Sequence, residues 1–462
     1  LQNDSMLTPG ASFSPVQEFH PTNVQEAPGI ASTKPHSSVR YYSRANFETL
    51  PQIQRLDSEH RFSIKVVASV LPFKVNNYVV DHLIDWDRVP DDPMFRLTFP
   101  HRDMLRAEEF EAVARLVRAG GDPKDISRLA EEIRMRMNPH PAGQMTRNVP
   151  ELDGRKLQGM QHKYRETVLF FPSQGQTCNA YCTFCFRWPQ FVHLQGLRFQ
   201  SREIDNLVEY LRRHTEVTDV LFTGGDPMTM PTRLVRHYIE PLMGPGLEHV
   251  QNIRIGTKTL TFWPDRYVAD PDAEDLLRLF EQVVEGGRHL ALMAHFNHPK
   301  ALSTDLARQA IRRVRSTGAE IRCQSPLVRH VNDDPEIWAE LWKTQVRLGC
   351  IPYYMFVARD TGPRHYFEIS LERAYRIFRE AYSRLSGLCR TVRGPSMSAS
   401  PGKVAIDGIV EVAGEKVFVL HFIQARNPDW VNRPFFARFD SSACWLDDLK
   451  PAFGQERFFF ED

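Results

Sequence analysis

From residue 168 onward the chain repeats one unit, a short apolar run followed by a longer stretch whose apolar residues recur at helical spacing. The runs lie at 168–171, 219–222, 253–255, 290–293, 321–324 and 352–357, and the amphipathic stretches between them include 203–213, 273–284, 304–315 and 336–347. Apolar runs this short read as buried strands, and the periodic segments read as helices with one face turned inward. Strands that alternate with helices pair in parallel, because a helix carries the chain back to the start of the next strand. Six units fall short of the eight that close a full barrel, so the expected fold class is α/β, a partial (β/α)6 barrel of the triosephosphate-isomerase type.

Parallel barrels build their sites at the carboxyl ends of the strands. The first run is followed by Cys178, Cys182 and Cys185, spaced C-x-x-x-C-x-x-C, and the second by Gly224, Gly225, Asp226 and Pro227. Gly256, Thr257 and Lys258 follow the third run, His295, Asn297 and His298 the fourth, Gln324 and Ser325 close the fifth, and the sixth leads to Asp360. A Gly-Asp-Pro string alone is an ordinary turn, and a single histidine after a strand is ordinarily structural. Their shared position at six successive strand ends is what marks them as a site. The glycine pair permits close approach of backbone to a ligand.

Three soft thiolates on so short a loop can hold three corners of a four-iron four-sulfur cluster and leave the fourth iron open to a small molecule. A structural zinc is the competing use, but tetrahedral zinc needs a fourth Cys or His, and the nearest downstream, His193, stands alone. Three unrelated core cysteines are the plainest alternative.

With 58 Lys and Arg against 57 Asp and Glu, the net charge is +1, so no nucleic-acid or acidic-membrane surface is indicated, and the expected partners are small molecules. No apolar run approaches the ~20 residues of a bilayer span, and the amino terminus lacks a signal pattern, so a cytoplasmic protein is expected. Seven cysteines, four of them scattered singly (Cys323, Cys350, Cys389, Cys444), fit a reducing compartment better than a disulfide framework. Residues 1–60, rich in Pro, Ser, Asn and Thr, read as a disordered or surface-wrapping arm. Residues 61–160 read as an amino-terminal layer. Within it 62–99 is expected to be extended and broken by turns at Pro72, Pro90, Pro93 and Pro100. Helical patterns follow through Leu105, Phe110, Val113 and Leu116 to Gly120, and again over 126–137. The barrel occupies 161–390, and 391–462 forms a carboxyl-terminal segment with further strands.

Taken together, the chain from about Pro93 to Phe439 resembles the lysine 2,3-aminomutase family of radical S-adenosylmethionine enzymes. The matching residues are His162, Lys163 and Tyr164, the cysteine loop with Arg187, the Gly224, Gly225, Asp226, Pro227 turn, and Arg254, Ile255, Gly256, Thr257. They continue with His295, Phe296, Asn297, His298, Pro299, then Gln324 and Ser325, Val331, Asn332, Asp333, and Pro352, Tyr353, Tyr354. The resemblance implies a radical S-adenosylmethionine barrel that binds the cluster, S-adenosyl-L-methionine and pyridoxal 5′-phosphate and moves an amino group between neighbouring carbons of an amino acid. An external electron donor such as flavodoxin or ferredoxin and a homo-oligomeric state are expected with it.

By the same resemblance, Gly224, Gly225, Asp226, His295 and Gln324 would line the S-adenosylmethionine site, Lys163 and Tyr164 would meet the pyridoxal phosphate group, and Arg187 would hold the substrate carboxylate. Lys403, in Ser400, Pro401, Gly402, Lys403, occupies the place of the lysine that takes pyridoxal; its competing reading is a solvated lysine in a Pro-Gly turn. The departures carry as much information. Thr167 stands where the family has a phosphate-binding arginine, and Trp188 and Pro189 replace two further basic residues. Asp360 is the one acid expected for a distal ammonium, with no second acid among 396–400, so a substrate other than lysine is expected. The family's carboxyl-terminal zinc cysteines are missing: Cys444 is alone and Asp334 occupies the other position. A radical enzyme on this scaffold that has lost pyridoxal and performs other hydrogen abstraction is the alternative.

Overall fold

Seven parallel strands, one more than the apolar runs mark, lie side by side in chain order. A computed structural model describes residues 38–139, 146–192, 194 and 199–461. An antiparallel edge strand, β1 (Met160–Tyr164), pairs with β2 (Thr167–Phe170). Parallel to β2 follow β3 (Asp219–Phe222), β4 (Asn252–Thr257), β5 (His289–His295), β6 (Glu320–Leu327), β7 (Ile351–Val357) and β8 (Arg393–Ser398). Three antiparallel strands, β9 (Gly402–Val412), β10 (Glu415–Ala425) and β11 (Pro434–Arg438), complete an eleven-stranded sheet in which β1 and β11 are the two edges. The sheet is an open barrel, and residues 38–462 cluster as one compact unit.

The crossover helices follow the expected pattern. Ile204–Arg213 buries Ile204, Leu207, Val208 and Leu211 on one stripe, and Ala273–Glu285 buries Leu276, Leu279, Phe280 and Val283. Full burial of a Leu or Phe side chain contributes about 2–3 kcal/mol, so these stripes fix the helices against the sheet. β5 is buried from Leu290 to Ala294, as a strand covered on both faces must be. The unmarked seventh strand, β8, reads Arg-Gly-Pro-Ser-Met-Ser; its Gly-Pro and serines hide it from any apolar count.

The amino-terminal layer departs from expectation. Ser58–Val70 is a thirteen-residue helix rather than an extended run, capped by Asp57, whose carboxylate accepts from His60 N at 2.8 Å. Its β-branched Ile64, Val66, Val67 and Val70 lower helix propensity, but they fall on the buried side, where packing outweighs it. Pro93 is the first residue of a further short helix, Pro93–Thr98, where its missing N–H costs nothing. Residues 38–60 join the same layer: Phe47, Leu50 and Ile53 are buried in it. Residues 1–37 of the arm lie outside the described residues. Among the described residues no helix is long and apolar enough to cross a membrane.

Candidate functional site

The cysteine loop follows β2 and is held from both sides. Tyr181 N donates to Lys74 O (2.8 Å) and Thr183 N to Leu97 O (2.9 Å), so the amino-terminal layer pins its backbone. Lys74 Nζ reaches Thr177 Oγ1 at 2.8 Å, and the Tyr41 hydroxyl donates to Asn179 Oδ1 at 2.9 Å. From the barrel side, Asp226 N donates to Thr177 O at 2.6 Å. A Cβ on Gly225 would strike the Thr177 backbone, and one on Gly224, at φ +142°, would strike the Gln176 side chain. The smallness of this pair is thus used to seat the loop that carries Cys178.

Burial raises the thiol pKa of all three cysteines, and Cys178 and Cys185 are raised further by neighbouring thiolates. Lys258 is the cation they face: all three thiolates act on it, its Nζ donates to Asn297 Oδ1, and burial lowers its pKa. Among the described residues no three His, Cys, Asp or Glu side chains stand close enough to grip a single metal ion. His193 lies outside the described residues.

Asp226 is 2% exposed, yet its carboxylate accepts from Met228 N (3.0 Å), Thr257 Oγ1 (2.8 Å), Lys258 N (2.7 Å) and Thr259 Oγ1 (2.9 Å). With so many partners it ties the β3 and β4 loops together and is a positioning group. Beside it, Gln324 Nε2 meets His295 Nε2 at 2.9 Å, and burial with the Lys258 charge drives His295 down to about 3, so its ring is neutral. These two strand-end residues come together as the barrel reading expects.

Arg187, 8% exposed, lies over the rings of Phe171 (4.3 Å) and Phe186 (5.2 Å). Burial lowers its pKa to about 10; the charges acting on it are the thiolates of Cys185 and Cys178 and the guanidinium of Arg359, with no carboxylate among them. Arg359 stacks on Phe186 as well, at 5.0 Å, and its charge also reaches Lys163. Lys403 lies in β9 and not in a turn: its Nζ donates to Gln424 Oε1 at 3.0 Å and sits 4.1 Å from the centre of the Tyr354 ring. Burial lowers its pKa to about 8, with Tyr353, Arg254 and Arg393 acting on it from three other strands. Gly402 allows the close pairing, since a Cβ there would strike Gln424 O.

A provisionally named L-lysine 2,3-aminomutase of Aquifex aeolicus (strain VF5) is 31% identical over 399 residues, 86% of this chain and 92% of the relative. The chain belongs to the lysine 2,3-aminomutase family. It is an enzyme of the radical S-adenosylmethionine aminomutase type, an isomerase. The L-lysine 2,3-aminomutase of Clostridium subterminale is 25% identical over 57% of this chain and 60% of its own length, and that of Escherichia coli (strain K12) is 27% identical over 54% and 68%. No family model matches. Among solved structures, a radical SAM methyltransferase from Sphaerobacter thermophilus overlaps 63% of this chain and 94% of its own at 16% identity and a TM-score of 0.36.

For an aminomutase of this family, two placements differ from the sequence reading. Asp360 is not gathered with the other groups: its carboxylate accepts from Asn138 Nδ2 at 3.1 Å, and it lines an open groove with Arg106, Arg136 and Asp447. Its neighbour Arg359 is the residue that reaches Arg187 and Lys163. Lys258 was among the strand-end residues and was given no role, and Lys74 was not singled out at all. The first was visible as the third strand's terminal cation; the second, about a hundred residues before the loop it touches, left no signal.

Proposed function

We propose that this chain moves an amino group between neighbouring carbons of an amino acid other than lysine, with a cluster on Cys178, Cys182 and Cys185, S-adenosylmethionine beside it, and pyridoxal phosphate at Lys403. The observation that carries the reading is the continuity of basic side chains from the thiol loop to Lys403: buried Arg187 beside Cys185, half-buried Arg359 sharing Phe186 with it, Lys163 next to Arg359, and Lys403 next to Lys163. When bound, the cluster with S-adenosylmethionine would supply hydrogen abstraction from an unactivated carbon, and pyridoxal phosphate would supply the means of moving nitrogen.

The chain's own residues do the rest. Lys258 and Lys74 offset thiolate charge at the loop, where an uncompensated buried anion is costly. Gly225, Asp226, His295 and Gln324 shape the pocket next to it. Arg187 offers a planar fork to a carboxylate, and Lys74, held over the rings of Tyr41 and Tyr181, braces the outer side of the loop. Lys403, its pKa lowered to about 8 by burial, offers a larger share of free amine to an aldehyde at ordinary pH than a solvated lysine does. A long cationic side chain would meet Arg359 and find no free acid at 396–400, which argues against lysine. Electrons would come from an external low-potential donor such as flavodoxin or ferredoxin.

The test is anaerobic reconstitution, assay of iron and sulfide, and turnover of a panel of amino acids with and without pyridoxal phosphate. Iron-dependent cleavage of S-adenosylmethionine with pyridoxal-dependent isomerisation of a non-cationic amino acid is expected. Stoichiometric zinc without iron would sink the reading, and so would L-lysine as the best substrate. Cleavage with no pyridoxal dependence would leave the pyridoxal-free alternative.

A further inference from the structure

Three consecutive carbonyls just past β8 each accept from a different cation. Ser398 O takes Arg359 Nη2 at 2.7 Å, Ala399 O takes Lys163 Nζ, and Ser400 O takes Arg426 Nε at 2.8 Å. Arg147 Nη1 adds a contact to Ser400 Oγ at 3.1 Å. These cations come from four distant parts of the chain, and Lys163 belongs to the edge strand β1, far from β8 in the sheet order. Tyr164 is buried among them, its hydroxyl acted on by both Arg359 and Arg426.

What this group lacks is an acid. Burial first, and then the charges of Arg359, Arg426 and Lys403, all positive, bring the Lys163 pKa down to about 6, so its ammonium form is held back until an anion enters. The acid beside Arg359 is Asp360, whose carboxylate is engaged by Asn138, and the Arg359 Nε is buried with no acceptor. Like charges gathered away from water repel, and the Ser398 carbonyl on Arg359, or the Ser400 carbonyl with Asn148 Oδ1 on Arg426, answers only part of a guanidinium's donor set. An anion with several oxygens would satisfy both deficits. A phosphate monoester, with close to two charges and three acceptor oxygens, suits two guanidinium forks, an ammonium and a phenol hydroxyl better than a single carboxylate does.

We propose that Arg359 and Arg426, together with Lys163 and Tyr164, hold the phosphate of pyridoxal phosphate and take over the guanidinium charge that Thr167 does not provide. The assignment rests on the pyridoxal reading of Lys403 above. The experiment compares wild type with Arg359→Met, Arg426→Met, Arg359→Lys and Arg426→Lys. Each is titrated with pyridoxal phosphate and with pyridoxal, which lacks the phosphate, and then reduced with borohydride so that mass spectrometry reads the label on Lys403. Each Met variant should weaken pyridoxal phosphate binding about tenfold or more, leave pyridoxal binding within about twofold, and be partly restored by Lys. Retained pyridoxal binding also reports that a variant has folded.

If the Met variants bind pyridoxal phosphate as wild type does, the cradle is wrong while the Lys403 reading stands. If Arg359→Met impairs only amino-acid binding, Arg359 serves the substrate and the assignment is likewise overturned. If wild type neither prefers the phosphorylated aldehyde nor is labelled at Lys403, the pyridoxal reading itself has failed, and the cradle with it.

Discussion

Asp226, buried, and Arg359, half-buried, are both charges just past strand ends, yet they are treated in opposite ways. Asp226 has a donor for each lone pair within reach, and the cations around the cysteine loop face thiols whose ionisation would match them. Around 398–400, three cations share backbone carbonyls and Arg359 keeps an unanswered N–H. The first region is balanced by its own residues once the thiols are deprotonated, whereas the second is balanced only when something anionic enters. Satisfaction of buried charge therefore separates the part of the site that builds itself from the part that waits for a ligand.

Substitutions can break this contrast, and the largest effect belongs to the thiols. Cys182→Ser should abolish iron retention and reductive cleavage of S-adenosylmethionine, read by iron analysis and by 5′-deoxyadenosine formation; retained cleavage would remove the loop from the chemistry. Asp226→Ala comes next, as a stability effect. Stranding Thr257, Thr259 and two backbone N–H groups should cost about 3–5 kcal/mol in urea unfolding, and a loss below about 1 kcal/mol would mean that the region is not as self-satisfied as its geometry implies. Arg187→Lys keeps charge but loses the fork, so KM for the amino acid should rise about tenfold while KM for S-adenosylmethionine moves less than about twofold. The smallest effect sharpens the other side. Lys403 has its pKa lowered to about 8, so the neutral amine fraction grows with pH, and the rate of pyridoxal phosphate uptake should climb through pH 8 and level off above about 9. A flat profile from pH 6 to 9 would indicate an amine that is not buried as described.

The six apolar runs and the residues after them were legible because burial on both faces demands unbroken hydrophobic strands, and because a barrel fixes where strand ends meet. The seventh strand was not, since Gly394, Pro395 and Ser396 are no one's core residues until β7 and β9 flank them. The helix at Ser58–Val70 was hidden by β-branched residues whose packing overrides their propensity. Within the site, Asp360 drew attention by its charge, while the neighbouring arginine is the one that faces Arg187 and Lys163. Arg359 and Arg426 gave no signal of their own, because they meet at the carbonyls of Ser398 and Ser400 only in the folded sheet.

The sheet's order has a temporal side. From β2 to β8 every parallel strand pairs with the one translated just before it, and the layer that clamps Cys178–Cys185 from Lys74 and Leu97 has been translated earlier still. A chain emerging from the ribosome can thus complete the thiol loop and its clamp while Arg359, Lys403 and Arg426 are still unmade. Translation order alone gives the enzyme a thiol end that is assembled first and a cationic end that closes with the last strands.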